Sequence, residues 1–233
     1  MSVSSQDQVR EFPLFRRLDA QAFSQIMAAA STRHYPAGQP VFAQGGDARE
    51  FYVLLKGKLK VTQVTEDGQQ VIIRIVVPGD LFGIARALQR VDYPGTATAA
   101  VQSVVMAWPM SYWDTFVASD ASLAVSAMQT VGQRLQESHA RIREMATQEV
   151  ERRVAHTVLR LVEQSGQPEP AGIRIDFPIS KQDLAEMAGT TLHTVSRIMS
   201  GWQERGIVST GRQKLLVRDH ERLLFIAETT SYR

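Results

Sequence analysis

The chain has 233 residues, 44% of them hydrophobic and 21% charged, an ordinary balance for a globular protein with one large or two small cored domains. It carries a formal charge of +2 and no cysteine, which excludes disulfides, a thiol nucleophile, thiolate zinc sites and an iron–sulfur cluster held through cysteine. Met1-Ser2-Val3-Ser4-Ser5-Gln6-Asp7 has no basic patch ahead of an apolar run, and no run of about 18 apolar residues occurs. The expectation is a cytoplasmic protein with no membrane partner.

Ala20 to Ala30 reads as a short helix. Residues 34–108 read as strands. Val53-Leu54-Leu55, Leu59-Lys60-Val61-Thr62 and Val71-Ile72-Ile73-Arg74-Ile75-Val76-Val77 are β-rich runs. Gly45-Gly46-Asp47, Lys56-Gly57-Lys58, Glu66-Asp67-Gly68 and Pro78-Gly79-Asp80 punctuate them, and Asp-Gly between two runs is a hairpin signal. Short strands at regular spacing predict a sandwich, barrel or jelly roll.

A long helix follows over roughly residues 120–146. Met128, Val131, Leu135, Ser138, Ile142 and Met145 recur in steps of three and four, the pattern of a coiled-coil seam. A seam on a chain whose strand block already has its own core favours a parallel homodimer; the alternative is a helix packed on its own domain. Gly132, beside the seam, would let two backbones approach.

The remainder is mainly helical. Val150, Val154, Val158 and Leu161 mark one helix face, Ser165 to Pro170 reads as a break, and Ile173, Ile175 and Phe177 alternate as a short strand. Ser180 with Asp183 makes a capping box, Leu184, Ala185 and Ala188 an apolar face, and Gly189 a left-handed stop. Thr191 then caps a second helix whose inner face is predicted as Val195, Ile198 and Trp202. Two short helices about a glycine turn are a helix-turn-helix. Its outer face offers Leu192, His193, Ser196 and Arg197. Arg197 can donate two parallel hydrogen bonds to guanine O6 and N7, while Lys181, Gln182 and Thr194 can hold phosphates. Ile207-Val208-Ser209 and Lys214-Leu215-Leu216-Val217 flank Thr210-Gly211-Arg212-Gln213, a two-stranded wing with Arg212 at its tip. Residues 180–218 hold six basic and three acidic side chains, against 14 and 13 in residues 1–147. This local excess suits double-stranded DNA. The alternative is a helical pair that contacts protein, with Arg197 merely solvated.

These motifs resemble the Crp/Fnr family of bacterial transcription regulators over nearly the whole chain. Phe12-Pro13-Leu14-Phe15 is similar to the family's N-terminal entry, Gly45 to Gly83 with Pro78-Gly79-Asp80-Leu81-Phe82-Gly83 to its cyclic-nucleotide-binding jelly roll, and Thr194-Val195-Ser196-Arg197 to its recognition-helix core. The resemblance implies an α+β protein of three parts. These are an effector-sensing jelly roll over 1–118, a dimerisation helix over 119–147 and a winged helix-turn-helix over 148–233. It also implies a homodimer on an inverted-repeat operator, acting with RNA polymerase, and an effector pocket near Gly83, Ile84, Arg86, Thr96 and Thr98. The cAMP-binding members carry Glu after the cassette glycine and an Arg-Ser pair further on. Here Ile84 and Tyr93-Pro94-Gly95-Thr96-Ala97 stand instead, which argues against cAMP or cGMP. Leu192 to Arg197 and Tyr93-Pro94 resemble the nitrogen-oxide-responsive NnrR and Dnr branch. That branch is associated with nitric oxide sensing and denitrification, with haem as the cofactor it would bring. Where many members carry Glu, His193 offers no carboxylate to a cytosine amino group, so readout at that base pair is expected to change.

Of five histidines, His34 and His139 are the candidates for a haem ligand, and no His-x-x-x-His spacing names one. No ordered Ser/His/Asp set, carboxylate pair or phosphate loop supports an enzyme, and no catalytic residue is assigned. A regulator that works without any effector is a further alternative.

Overall fold

The computed structural model describes residues 8–85 and 88–229. The chain divides into two compact units, residues 1–64 with 74–137 and residues 65–73 with 138–233.

Helix α1 (Ala20–Ala28) precedes strands β1 (Ser31–Tyr35), β2 (Pro40–Phe42), β3 (Glu50–Lys56), β4 (Leu59–Val64), β5 (Gln70–Val76), β6 (Leu81–Phe82), β7 (Thr96–Ala99) and β8 (Ser103–Pro109), all in the first unit except residues 70–73 of β5, which count with the second. They form two sheets of order β1-β8-β3-β6 and β2-β7-β4-β5, the jelly-roll architecture expected from the turn spacing. Side chains alternate along a strand. Tyr52 and Leu54 of β3, with Val105 and Ala107 of β8, therefore enter one core with Leu59, Ala97 and Ala99. Phe51, Val53, Met106 and Trp108 enter another, packed with Phe23 and Ile26 of α1. Both faces of the β3–β8 pair are buried, which is why β3 reads as an unbroken apolar run. Trp108 Nε1 donates to the Ile26 carbonyl at 2.8 Å, tying α1 to the sheet.

Helix α2 (Tyr112–Ser119) adds Trp113 and Phe116 to the second core. Helix α3 (Ala121–Thr147) is continuous. Its residues to Glu137 belong with the jelly roll and those from Ser138 with the second unit. Leu123 and Ala127 enter the core and Val131 packs against it, whereas Val125, Met128, Leu135 and Ile142 are 45%, 74%, 55% and 62% exposed.

In the second unit, α4 (Val150–Ser165) buries Val154, Val158 and Leu161. Strands β9 (Gly166–Glu169) and β10 (Gly172–Ile175) follow, then α5 (Lys181–Ala188), α6 (Leu192–Glu204), β11 (Val208–Gly211), β12 (Lys214–Val217) and α7 (His220–Glu228). The sheet order is β11-β12-β10-β9. The expected break at Ser165–Pro170 is in fact β9, whose Pro168 faces Ile173. An edge strand tolerates a residue with no N–H.

Candidate functional site

The sequence dictates the helix-turn-helix locally. Ser180 Oγ accepts from the Asp183 amide at 3.0 Å, and Asp183 Oδ2 accepts from the Ser180 amide at 2.7 Å. Each bond satisfies an amide that the start of α5 leaves without a partner. Gly189 closes α5 at φ 63° and ψ 51°. Arg153 of α4 reaches the turn, donating from Nε to the Ala188 carbonyl at 3.1 Å and from Nη2 to that of Gly189 at 3.3 Å. Thr191 Oγ1 accepts from the Thr194 amide at 3.2 Å and opens α6. The buried face of α6 is Val195, Met199 and Trp202. Met199 takes the place expected for Ile198, which is only half-buried. Trp202 Nε1 donates to Glu151 Oε1 at 2.7 Å, which fixes the roll of α6 on α4.

The opposite face of α6 is open. Leu192, His193 and Arg197 are exposed and Ser196 half-exposed. The hydroxyls of Thr191 and Thr194 lie 3.0 Å apart within the cap, so these two side chains serve the helix start. Gln182, exposed on α5, donates to Glu186 Oε1 at 3.0 Å, and Lys181 is half-buried. Gln203 Oε1 accepts from the Thr210 hydroxyl at 2.8 Å and binds the wing to α6. Arg212 and Lys214 are exposed at the wing tip. The open face of α6 and the basic wing therefore belong to one packed unit.

In the first unit a cavity of about 100 Å³ is bordered by Gly83 and Ile84. Gly83 has φ +71°, and a Cβ there would stand 2.8 Å from the Tyr52 ring, so the backbone passes the aromatic face only as glycine. Of the expected pocket residues, Gly83 and Ile84 line the cavity and Thr96 and Thr98 do not. On β7, Ala97 and Ala99 are the buried positions. Thr96 and Thr98 point to the other face, and Thr96 Oγ1 takes the Gln44 amide at 3.0 Å. Arg86 lies outside the described residues.

The residues that sequence reasoning missed are Arg74 of β5, Arg134 of α3 and Tyr93, all lining the cavity. A signal for Arg74 was present: a lone cation inside Val71–Val77. Its Nη1 stands 3.6 Å from Asp80 Oδ2, while its Nη2 is buried without a hydrogen bond. Arg134 donates from Nη2 to the Leu81 carbonyl, and its Nε is buried without one. Burial first, and then the Arg74 cation, push the Arg134 guanidinium down to about 9, against Asp80 and Glu137. Tyr93 Oη donates to the Glu50 carbonyl at 2.7 Å.

His34 and His139 are both exposed and neither lines this cavity. No group of three His, Cys, Asp or Glu that could hold a metal ion occurs among the described residues. Among the described lining residues, Tyr93 is the one of a type that ligates haem iron. Burial raises its pKa and disfavours the phenolate. The residues of the cavity therefore do not fit a haem.

On α3 the expected seam residues Met128, Leu135, Ser138, Ile142 and Met145 are exposed, and Val131 is half-buried. Val131 is turned to the core of its own unit. Met145 is exposed, with its terminal carbon 3.1 Å from where a Gly189 Cβ would stand. Ser138 is exposed. Met128, Leu135 and Ile142, spaced by seven, share an exposed stripe with Val125, Gly132 and His139.

Comparison with known proteins agrees with this layout. Residues 32–120 match the cyclic nucleotide-binding domain, and residues 152–226 the Crp-like helix-turn-helix domain. The chain is 27% identical over 207 residues to the cyclic AMP receptor protein of Thermus thermophilus, covering 89% of this chain and 93% of that one. It is 26% identical over 208 residues to the global nitrogen regulator of Synechocystis sp., covering 88% and 90%. A solved Crp/Fnr-family transcriptional regulator from Thermus thermophilus matches with a TM-score of 0.72 and 26% identity, over 85% of this chain and 99% of that one. A cyclic-nucleotide-binding-type jelly roll ahead of a Crp-like helix-turn-helix defines a DNA-binding transcription regulator. The chain belongs to the Crp/Fnr family of such regulators.

Proposed function

We propose that this chain works as a cytoplasmic homodimer on an inverted-repeat operator, with α6 in the major groove, and that a ligand in the jelly-roll cavity sets its DNA affinity. The observation that carries the reading is the open face of α6, where Arg197 stands exposed on a helix whose other face is locked by Val195, Met199 and Trp202. Residues of that face reach base edges, and Arg197 reads guanine through paired hydrogen bonds. Leu192, His193 and Ser196 complete the base-facing set. Lys181 and Arg212 neutralise phosphates, Gln182 hydrogen-bonds one, and Thr191 and Thr194 act by holding the helix start. The exposed stripe of α3 is the surface for the second copy, and the operator-bound dimer acts on RNA polymerase. The ligand must favour the DNA-competent arrangement over the other for its occupancy to matter.

Arg197→Ala is expected to cost about 1–3 kcal/mol at the guanine of each half-site and to leave non-specific binding nearly unchanged. Binding-site selection with wild type and variant checks this. Unchanged selectivity would place α6 outside the groove and favour a protein-binding role for the second unit.

A second reading is a response to nitric oxide, which rests on the likeness of Leu192–Arg197 and Tyr93-Pro94 to the nitrogen-oxide branch. Its test is an anaerobic haem titration of the purified chain. A saturable Soret shift that nitric oxide alters and that His34→Ala or His139→Ala removes supports it. A spectrum equal to free haem at every ratio sinks it and leaves the DNA-binding reading intact.

A further inference from the structure

We propose that Glu151, on the first turn of α4 and not on the open face of α6, is a positioning residue that sets the selectivity of DNA binding by fixing the rotation of α6 about its own axis. The proposal rests on the reading of α6 as the base-facing helix and adds the residue that aims it.

Three observations carry it. The first is how α6 is anchored. Of its buried side chains, Val195 is small and Met199 is unbranched and adapts to the space it is given, so both restrain rotation weakly. Trp202 is fully buried and carries a donor. A buried indole N–H needs an acceptor. It donates to Glu151 Oε1 at 2.7 Å, a charge-assisted bond that fixes the ring and, through it, the helix. The same oxygen accepts from Arg205 Nη2 at 3.0 Å, and Arg205 Nε donates to the Gly201 carbonyl at 3.2 Å. One carboxylate thus holds two residues at the end of α6.

The second is that the contact does little else. The side chains of Glu151 and Arg205 are 45% and 54% exposed, and an ion pair so open to water contributes little to stability. Geometry is the larger part of what Glu151 supplies. The third is a matching grip at the other end of the helix. Arg153, on the same turn of α4, holds the Ala188 and Gly189 carbonyls of the turn ahead of α6 and donates from Nη1 to the Gln148 carbonyl at 3.0 Å. Arg153 holds backbone before the helix begins, whereas Glu151 holds a side chain of the helix itself, so rotation falls to Glu151.

The effect on readout is one of leverage. Arg197 stands five residues before Trp202, about 140° around the helix. A rotation of about 10° carries a side-chain tip about 6 Å from the axis through about 1 Å, and a set of directed bonds tolerates about half of that. Paired hydrogen bonds to guanine are lost by such a shift, whereas attraction to phosphates survives it.

The experiment uses the full chain as wild type, Glu151→Ala, Glu151→Gln, Trp202→Phe and the Glu151→Ala, Trp202→Phe double variant. Each is titrated at equal salt against an operator obtained by binding-site selection and against a random duplex, with thermal melting in parallel to report folding. In Glu151→Ala the ratio of operator to random-duplex affinity is expected to fall by about tenfold or more, with random-duplex affinity unchanged. Glu151→Gln keeps an acceptor for the indole and should restore most of the ratio. Trp202→Phe should lower the ratio, and the double variant should lower it little further, because the two side chains act as one unit. A folded Glu151→Ala with the wild-type ratio overturns the proposal. So does a Gln variant as poor as the Ala variant, or a loss of equal size on the random duplex. If Glu151→Ala does not fold, the other single variants decide: a ratio kept in Glu151→Gln and lowered in Trp202→Phe supports the proposal, and any other pairing overturns it. Wild-type selectivity that Arg197→Ala leaves intact defeats the reading of α6, and the proposal with it, whereas the other adverse outcomes defeat the proposal alone.

Discussion

Single residues in this molecule carry separable physical loads. Gly189 sits at φ 63°, where a Cβ is strained and would stand 3.1 Å from the Met145 methyl. Gly189→Ala is expected to cost about 1 kcal/mol from backbone strain alone, with a further term if Met145 cannot move aside. A denaturant midpoint equal to wild type would contradict this. Arg134 carries a charge that the fold disfavours, through burial and Arg74, against Asp80 and Glu137. Its folded pKa is pushed down to about 9, while the unfolded chain keeps the ordinary, higher arginine value. Below about 9 both states bear the proton and the fold bears the strain. Above it only the unfolded chain does, so this group's contribution to stability rises with pH. In Arg134→Met the strain is gone at every pH. The stability of the variant relative to wild type should be most favourable near neutrality and decline as pH climbs past about 9. A flat difference in urea unfolding across that range refutes it.

At the scale of elements, caps and turns were legible and helix faces less so. The Ser180–Asp183 box, Gly189 and Thr191 sit where their chemistry demands, because each is a local interaction. Which residue of Ile198 and Met199 faces inward depends on the roll of α6 against α4, set by distant partners such as Glu151. On α3 the three-four spacing named the helix, and Met128, Leu135, Ile142 and Met145 stand exposed with Val125, while Val131 packs partly against its own core. An exposed apolar row of this kind marks an interaction surface. Leu135→Glu is expected to abolish dimers in sedimentation analysis and to weaken operator binding with them, while each chain keeps its helical content. A dimeric Leu135→Glu protein would move the interface elsewhere.

For the molecule as a whole, the order of jelly roll, long helix and winged helix-turn-helix was readable from turn spacing, periodicity and capping. The cavity was not. Gly83 and Ile84 were found through a contiguous motif, but Arg74 and Arg134 are 60 residues apart in sequence and meet only through tertiary packing. Thr96 and Thr98 failed for the opposite reason: strand alternation puts them on the other face of β7. The central β3–β8 pair has a different consequence, in time rather than in space. Its amides are covered by α1 and α2 on one side and by the second sheet on the other. Exposing them to solvent requires dismantling both cores. In hydrogen–deuterium exchange, Val53, Leu54, Val105 and Met106 should therefore be among the last amides of the first unit to exchange. Their rates should track the global unfolding of that unit. The tip of the wing around Gly211, Arg212 and Gln213, with exposed backbone on a short hairpin, should exchange orders of magnitude sooner. The protein thus keeps its slowest clock in the interior of the jelly roll and its fastest at the tip of the wing.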